Sequence, residues 1–123
     1  MSYTQNAKFE YRLVPTEIDL TGLAATEKVV ALPSGAQVMQ VNVEVVEVSD
    51  SGATLNIGLD SENTFFSTGV ALDALGNTQS SKVTATKQSS LVTITPSTAL
   101  TKGKIVVRVA FFHPSDKKEE IAD

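Results

Sequence analysis

Apolar and polar residues alternate with a period of two through much of the chain, and that alternation predicts strands. Phe9, Tyr11 and Leu13 alternate with Lys8, Glu10 and Arg12, which sets large apolar side chains on an inward face and charges on the other. Pro15 has no N–H to give a ladder, so it is expected to end or bend this strand. Glu27 to Leu32, with Val29, Val30 and Leu32, reads as a short strand before the turn residues Pro33-Ser34-Gly35-Ala36. From Val38 the valines at 41, 43 and 45 keep a clean alternation that changes phase at the Val45-Val46 doublet, as a β-bulge or a crossing between sheets would cause. Ala53, Leu55, Ile57 and Leu59 alternate next, after the turn cluster Ser49-Asp50-Ser51-Gly52, so Val41 to Leu59 predicts a hairpin.

Lys82 to Lys87 and Leu91 to Thr95, rich in Val, Thr and Ile and joined by Gln88-Ser89-Ser90, predict a second hairpin. In the last run, Lys104 to His113, the residues Ile105, Val107, Val109 and Phe111 take the inner face. Val106, Ala110 and Phe112 make the opposite face apolar as well, broken only by Arg108, so this strand is expected to be central and covered on much of both sides. Asp60 to Ser80 reads as a long excursion between sheets. A turn of helix fits around Ala71, Leu72, Ala74 and Leu75, closely bracketed by Gly69 and Gly76-Asn77. About seven or eight short strands separated by turns, with no long helices, predict an all-β fold, an antiparallel β-sandwich of jelly-roll-like form. The division that follows is a flexible N-terminal arm over 1–6, a sandwich domain over 7–114 and a charged tail over 115–123.

Composition narrows the function more than the fold. The chain has 123 residues, 41% hydrophobic and 20% charged, which suits one domain with a single core. It has no cysteine, which excludes disulfides, thiolate metal sites and a cysteine nucleophile. Its formal net charge of -4 opposes a nucleic-acid or anionic-membrane partner. The polar start, Met1-Ser2-Tyr3-Thr4-Gln5-Asn6, lacks the apolar core of a signal peptide, and no run approaches the ~20 apolar residues of a membrane-spanning helix.

Reactive chemistry finds no footing. His113 is the only histidine, so a site needing two imidazoles is impossible within one chain, and no Gly-x-Ser-x-Gly elbow supports a triad. Asp60-Ser61-Glu62-Asn63-Thr64 offers oxygen ligands without the spacing of a calcium loop, and the dispersed glycines form no phosphate-binding motif. No catalytic, cofactor or metal residue is expected, and the chain reads as a non-enzyme. The aromatic residues outside the inward pattern are Tyr3 and the Phe65-Phe66 pair; adjacent residues of an extended strand point to opposite sides. All three are candidate protein-interface residues, with core packing of both phenylalanines the alternative.

Val30-Ala31-Leu32-Pro33-Ser34-Gly35-Ala36-Gln37-Val38-Met39-Gln40-Val41-Asn42-Val43-Glu44-Val45, followed by Ser51-Gly52-Ala53-Thr54-Leu55-Asn56-Ile57-Gly58, resembles small virion proteins of tailed bacteriophages and prophages. In those proteins a Leu-Pro-x-Gly-Ala turn leads into a valine-rich strand, and a second strand ends in glycine before a loop with an acidic residue and Phe. Here Asp60, Phe65 and Phe66 fill that loop, and Gly103-Lys104-Ile105-Val106-Val107-Arg108-Val109 resembles the closing strand. The resemblance covers about half of the chain. It implies a structural virion part: a capsid decoration, head-fibre or tail-associated protein, homo-oligomeric and often trimeric, made in the bacterial cytoplasm and assembled with other virion proteins. A glycan-binding or adhesion module of a tail spike is the alternative it leaves open.

Overall fold

Each long alternating run is a strand in the computed structural model, which describes residues 2–5, 9–80, 82–114 and 119–122, with side chains over 10–80 and 82–113. The strands are β1 (Ser2–Gln5), β2 (Phe9–Asp19), β3 (Glu27–Leu32), β4 (Gln37–Glu47), β5 (Thr54–Leu59), β6 (Glu62–Ala71), β7 (Gly76–Ser80), β8 (Thr84–Ala85), β9 (Ser90–Pro96), β10 (Lys104–Pro114) and β11 (Glu119–Ala122). Nine of them build two antiparallel sheets: β2-β10-β4-β7, with β8 also on β4, and β3-β9-β5-β6. The expected β-sandwich is therefore the fold. Its interior is lined from both sheets by fully buried residues including Leu32, Leu55, Ile57, Ile94, Val43, Ile105 and Val107. β1 and β11 form a two-stranded sheet of their own.

β10 occupies the central position expected of it, with β2 on one side and β4 on the other, and Ile105, Val107, Val109 and Phe111 face inward. The phase slip at Val45-Val46 is a bulge: Ile105 lies opposite Val45 and Lys104 opposite Glu47, which leaves Val46 over.

Four local expectations are corrected. β4 and β5 are not a hairpin, because β10 and β7 take the two edges of β4 while β9 and β6 take those of β5. Ser49 to Gly52 is instead a corner between sheets: the Ser49 N–H donates to the Leu72 carbonyl at 2.8 Å and its hydroxyl to the Lys102 carbonyl at 2.7 Å. Nor do the segments after Lys82 pair with each other, since β8 joins β4 and β9 joins the opposite sheet. Asp60 to Ser80 is not an excursion but the strands β6 and β7, and the span around Ala71 to Leu75 holds no helix. Pro15 does not end β2. The Leu20 N–H reaches the Gly103 carbonyl at 2.9 Å, so even-numbered residues of β2 turn their amides toward β10 and the nitrogen of Pro15 sits on the free edge, where no donor is needed.

β6 pairs with β5 irregularly, the register jumping from Ile57↔Ser67 to Leu59↔Glu62. The bulged backbone passes close over Gly58: a Cβ there would meet the Glu62 carbonyl oxygen and lie 2.6 Å from the Asn63 Cα. Glycine at 58 is thus a requirement of close backbone approach.

Candidate assembly surface

The phenylalanine pair of β6 divides between core and surface. Phe66 is buried in the main cluster, and Phe65 is half-buried against it, its ring edge-on to that of Phe66 at 5.0 Å and 84°. The Lys82 ammonium lies 3.8 Å from the centre of the Phe65 ring, a cation–π contact that covers part of the remaining face. Phe65 therefore keeps some accessible surface, whereas Phe66 serves the interior. The Tyr3 side chain lies outside the described residues; its backbone pairs with Ile121.

His113 is half-buried near the end of β10, opposite Glu10 in the register. Asp60, with φ of 51°, turns the β5–β6 hairpin. Its carboxylate accepts the Leu91 N–H at 2.9 Å and its own N–H donates to the Leu91 carbonyl at 2.8 Å, which ties the hairpin to β9. Among the described residues no three His, Cys, Asp or Glu side chains gather as metal ligands, and no helix is long and apolar enough to cross a membrane.

Asp50 fixes the corner between the sheets. Its carboxylate accepts the Thr101 hydroxyl at 2.6 Å and the Thr101 N–H at 2.8 Å, and these bonds, the hydroxyl first, hold it below its ordinary pKa of 3.8. A carboxyl depressed by folding stabilises the fold above the unfolded value and loses that contribution as pH falls through the folded value. Asp50→Asn is therefore expected to lower the thermal midpoint near neutral pH, with the gap to the parent closing in acid below pH 3.8. Melting curves of both chains across pH read this out, and a gap that widens in acid would contradict it.

The sequence pattern placed Tyr11 inside, but it is 58% exposed and Leu13 50% exposed, because Val14, Thr16 and Ile18 are the inward residues of β2. Tyr11 meets its register partner Phe112 edge-on, ring centres 5.4 Å apart, and Leu13 lies opposite Ala110. Ala110 is only 1% exposed yet stands outside the core cluster. These residues form a small apolar patch on the outer face of the β2-β10-β4-β7 sheet. Further along that face Arg108 is paired to Glu44 at 2.8 Å and the Gln79 amide donates to Gln40 at 2.7 Å. The Leu13-Val14 doublet, apolar on consecutive residues like Val45-Val46, is the signal that reveals a second apolar face.

No protein-family model matches the chain, and no curated relative matches it. Solved structures do. A chain of the acid-stable capsid structure of Helicobacter pylori bacteriophage KHP30 is similar with a TM-score of 0.75 and 25% identity, covering 100% of both chains. A chain of the cyanophage Pam1 capsid asymmetric unit is similar with a TM-score of 0.69 and 18% identity over 86% of each chain. One from the capsid of Ralstonia phage GP4 reaches 0.63 and 13% identity, over 87% of this chain and 86% of that one. The fold of this chain is thus one that recurs in phage capsids.

Proposed function

We propose that the protein is a structural component of a bacteriophage virion that decorates the capsid and works through its surfaces rather than through a reactive group. The full-length likeness to a chain of a phage capsid, 100% coverage on both sides with a TM-score of 0.75, carries this reading. Two further capsid chains of the same fold support the head over a fibre or tail position. The strand order β2-β10-β4-β7 facing β3-β9-β5-β6 supports reading the sandwich as a jelly roll.

In this reading the chain is made in the bacterial cytoplasm, self-associates, in the trimer that the sequence resemblance implies, and docks on other virion proteins. Residues 1–6 act as a tether to neighbours. Phe65 contributes apolar contact from β6, while Phe66 holds the strand on the core beneath it. Sedimenting the purified chain with capsids prepared without it tests the function: it is expected to pellet with them.

A further inference from the structure

We propose that β2 adds edge to edge to β2 of a second copy of this chain, antiparallel about a two-fold axis at Tyr11, so that two β2-β10-β4-β7 sheets join into one. This goes beyond the reading above. An isologous contact joins copies in pairs, and it is separate from both the trimer and the dock on the capsid.

The edge is open and its bonding groups are aligned. Among the described residues β10 is the only strand paired with β2. Even-numbered amides of β2 turn to β10, so those of Tyr11 and Leu13 turn to the free edge, and no backbone bond among the described residues reaches them. Glu10, Tyr11, Arg12 and Leu13 are all exposed, which leaves both faces of this stretch clear for a neighbour. Edge strands are guarded against pairing by proline and by charge. Pro15 guards the far part of β2, because it offers the free edge no donor. Glu10 and Arg12 guard the near part, and that guard fails in one register.

The residues pick the register. On the free edge the odd-numbered residues exchange N–H···O bonds in pairs, so a two-fold pairing keeps odd opposite odd and even opposite even. Centred on Glu10 or on Arg12, such a pairing puts like charges directly opposite each other, which is destabilising. Centred on Leu13, it sets Tyr11 opposite Pro15, which has no N–H. Centred on Tyr11, it sets Glu10 of each copy opposite Arg12 of the other, and Pro15 lies beyond the paired stretch. Tyr11 then exchanges backbone bonds with Tyr11 of the second copy, and Leu13 with its Phe9.

The side chains agree with that register on both faces. Glu10 and Arg12 lie on one face and are bonded at 2.9 Å within the chain, so the four charges of the pair form one alternating cluster. Their side chains are 62% and 54% exposed, so the cluster selects the register while the backbone bonds supply the attachment. On the other face Tyr11, edge-on to Phe112 at 5.4 Å, stands opposite Tyr11 of the second copy and carries the apolar row across the axis.

The chain has no cysteine, so single introduced thiols report the contact directly. Glu10→Cys in one chain and Arg12→Cys in a second, mass-tagged chain are mixed and oxidised without capsids. The mixed disulfide dimer is expected to dominate both homodimers, and it keeps one Glu10–Arg12 pair intact. In sedimentation velocity the parent is expected to double its mass as concentration rises. Glu10→Arg is expected to weaken that doubling about tenfold, and adding Arg12→Glu to restore it. Leu13→Pro, whose nitrogen would face the free edge as that of Pro15 does, is expected to abolish it with an unchanged circular dichroism spectrum. If that variant does not fold, the thiols and charge reversals decide alone. A homodimer of either thiol variant that dominates, or a mixed disulfide at no more than statistical yield, would overturn the proposal. So would a double charge reversal as weak as the single one, a folded Leu13→Pro chain that pairs like the parent, or a parent whose mass is independent of concentration. Capsid pelleting is read separately, so none of these results decides the capsid role.

Discussion

Gly58→Ala is expected to destabilise the fold by about 3 kcal/mol and to lower its thermal midpoint by about 10 °C. The added methyl would lie 2.6 Å from the Asn63 Cα and against the Glu62 carbonyl oxygen, both backbone atoms. No side-chain rotation relieves that overlap. Either the bulge of β6 lifts away, or β5 is pushed out of its place between β9 and β6. Lifting the bulge also disturbs Phe65 and Phe66, which it carries, so the core loses contact beyond the point of substitution. Thermal or urea denaturation checks the effect; a midpoint within about 2 °C of the parent would show that the β6 backbone does not cross there.

Ile94→Ala carries the next largest cost. Ile94 is fully buried at the centre of its sheet, opposite Glu27 on β3 and Ile57 on β5. Truncating it removes three methyl or methylene groups from a site that neighbours on both strands and the facing sheet hold open. A loss of about 2–5 kcal/mol follows from transfer and cavity terms together. Against a total stability of about 5–15 kcal/mol, this is a large fraction. Leu13→Ala is the matched comparison, the same class of truncation on a residue 50% exposed, and is expected to cost less than about 1 kcal/mol in the isolated chain. Denaturation of the two variants side by side separates inside from outside. Equal losses would mean that the face carrying Leu13 is covered within the monomer.

What the sequence made legible was faces, and what it hid was partners. The alternation of Ile105, Val107, Val109 and Phe111 identified the inner side of β10, and its apolar opposite side identified a central strand. Alternation does not say which strand lies alongside, so β4 and β5 read as a hairpin although a corner held by Ser49 and Asp50 sends them to different sheets. β7, Gly76–Ser80, has a polar sequence of low strand propensity and forms because the valines of β4 offer it an edge from Val41 to Val45. β6 was hidden by its own irregularity: Glu62, Asn63 and Thr64 are all exposed, and the bulge breaks the period before Phe66 reaches the core.

The interface was legible in part. Phe65 and Phe66 were singled out as a doublet, and the structure gives Phe66 to the core while Phe65 stays half-buried beneath Lys82. Tyr11 and Leu13 read as inward because their alternation with Glu10 and Arg12 is clean. At that end of β2, however, Arg12 lies on the face that its partner Phe111 turns to the core, and Tyr11 and Leu13 lie on the outer one. A period of two tells apart two faces but not which one the opposite sheet covers.

Titrating the purified chain onto phage capsids prepared without it, and weighing chain against shell subunit in the pelleted particles, tests the capsid role most directly. Binding is expected to saturate at one fixed ratio, as a lattice of equivalent sites requires. A chain that stays in the supernatant at every ratio, or pellets without saturating, would contradict it.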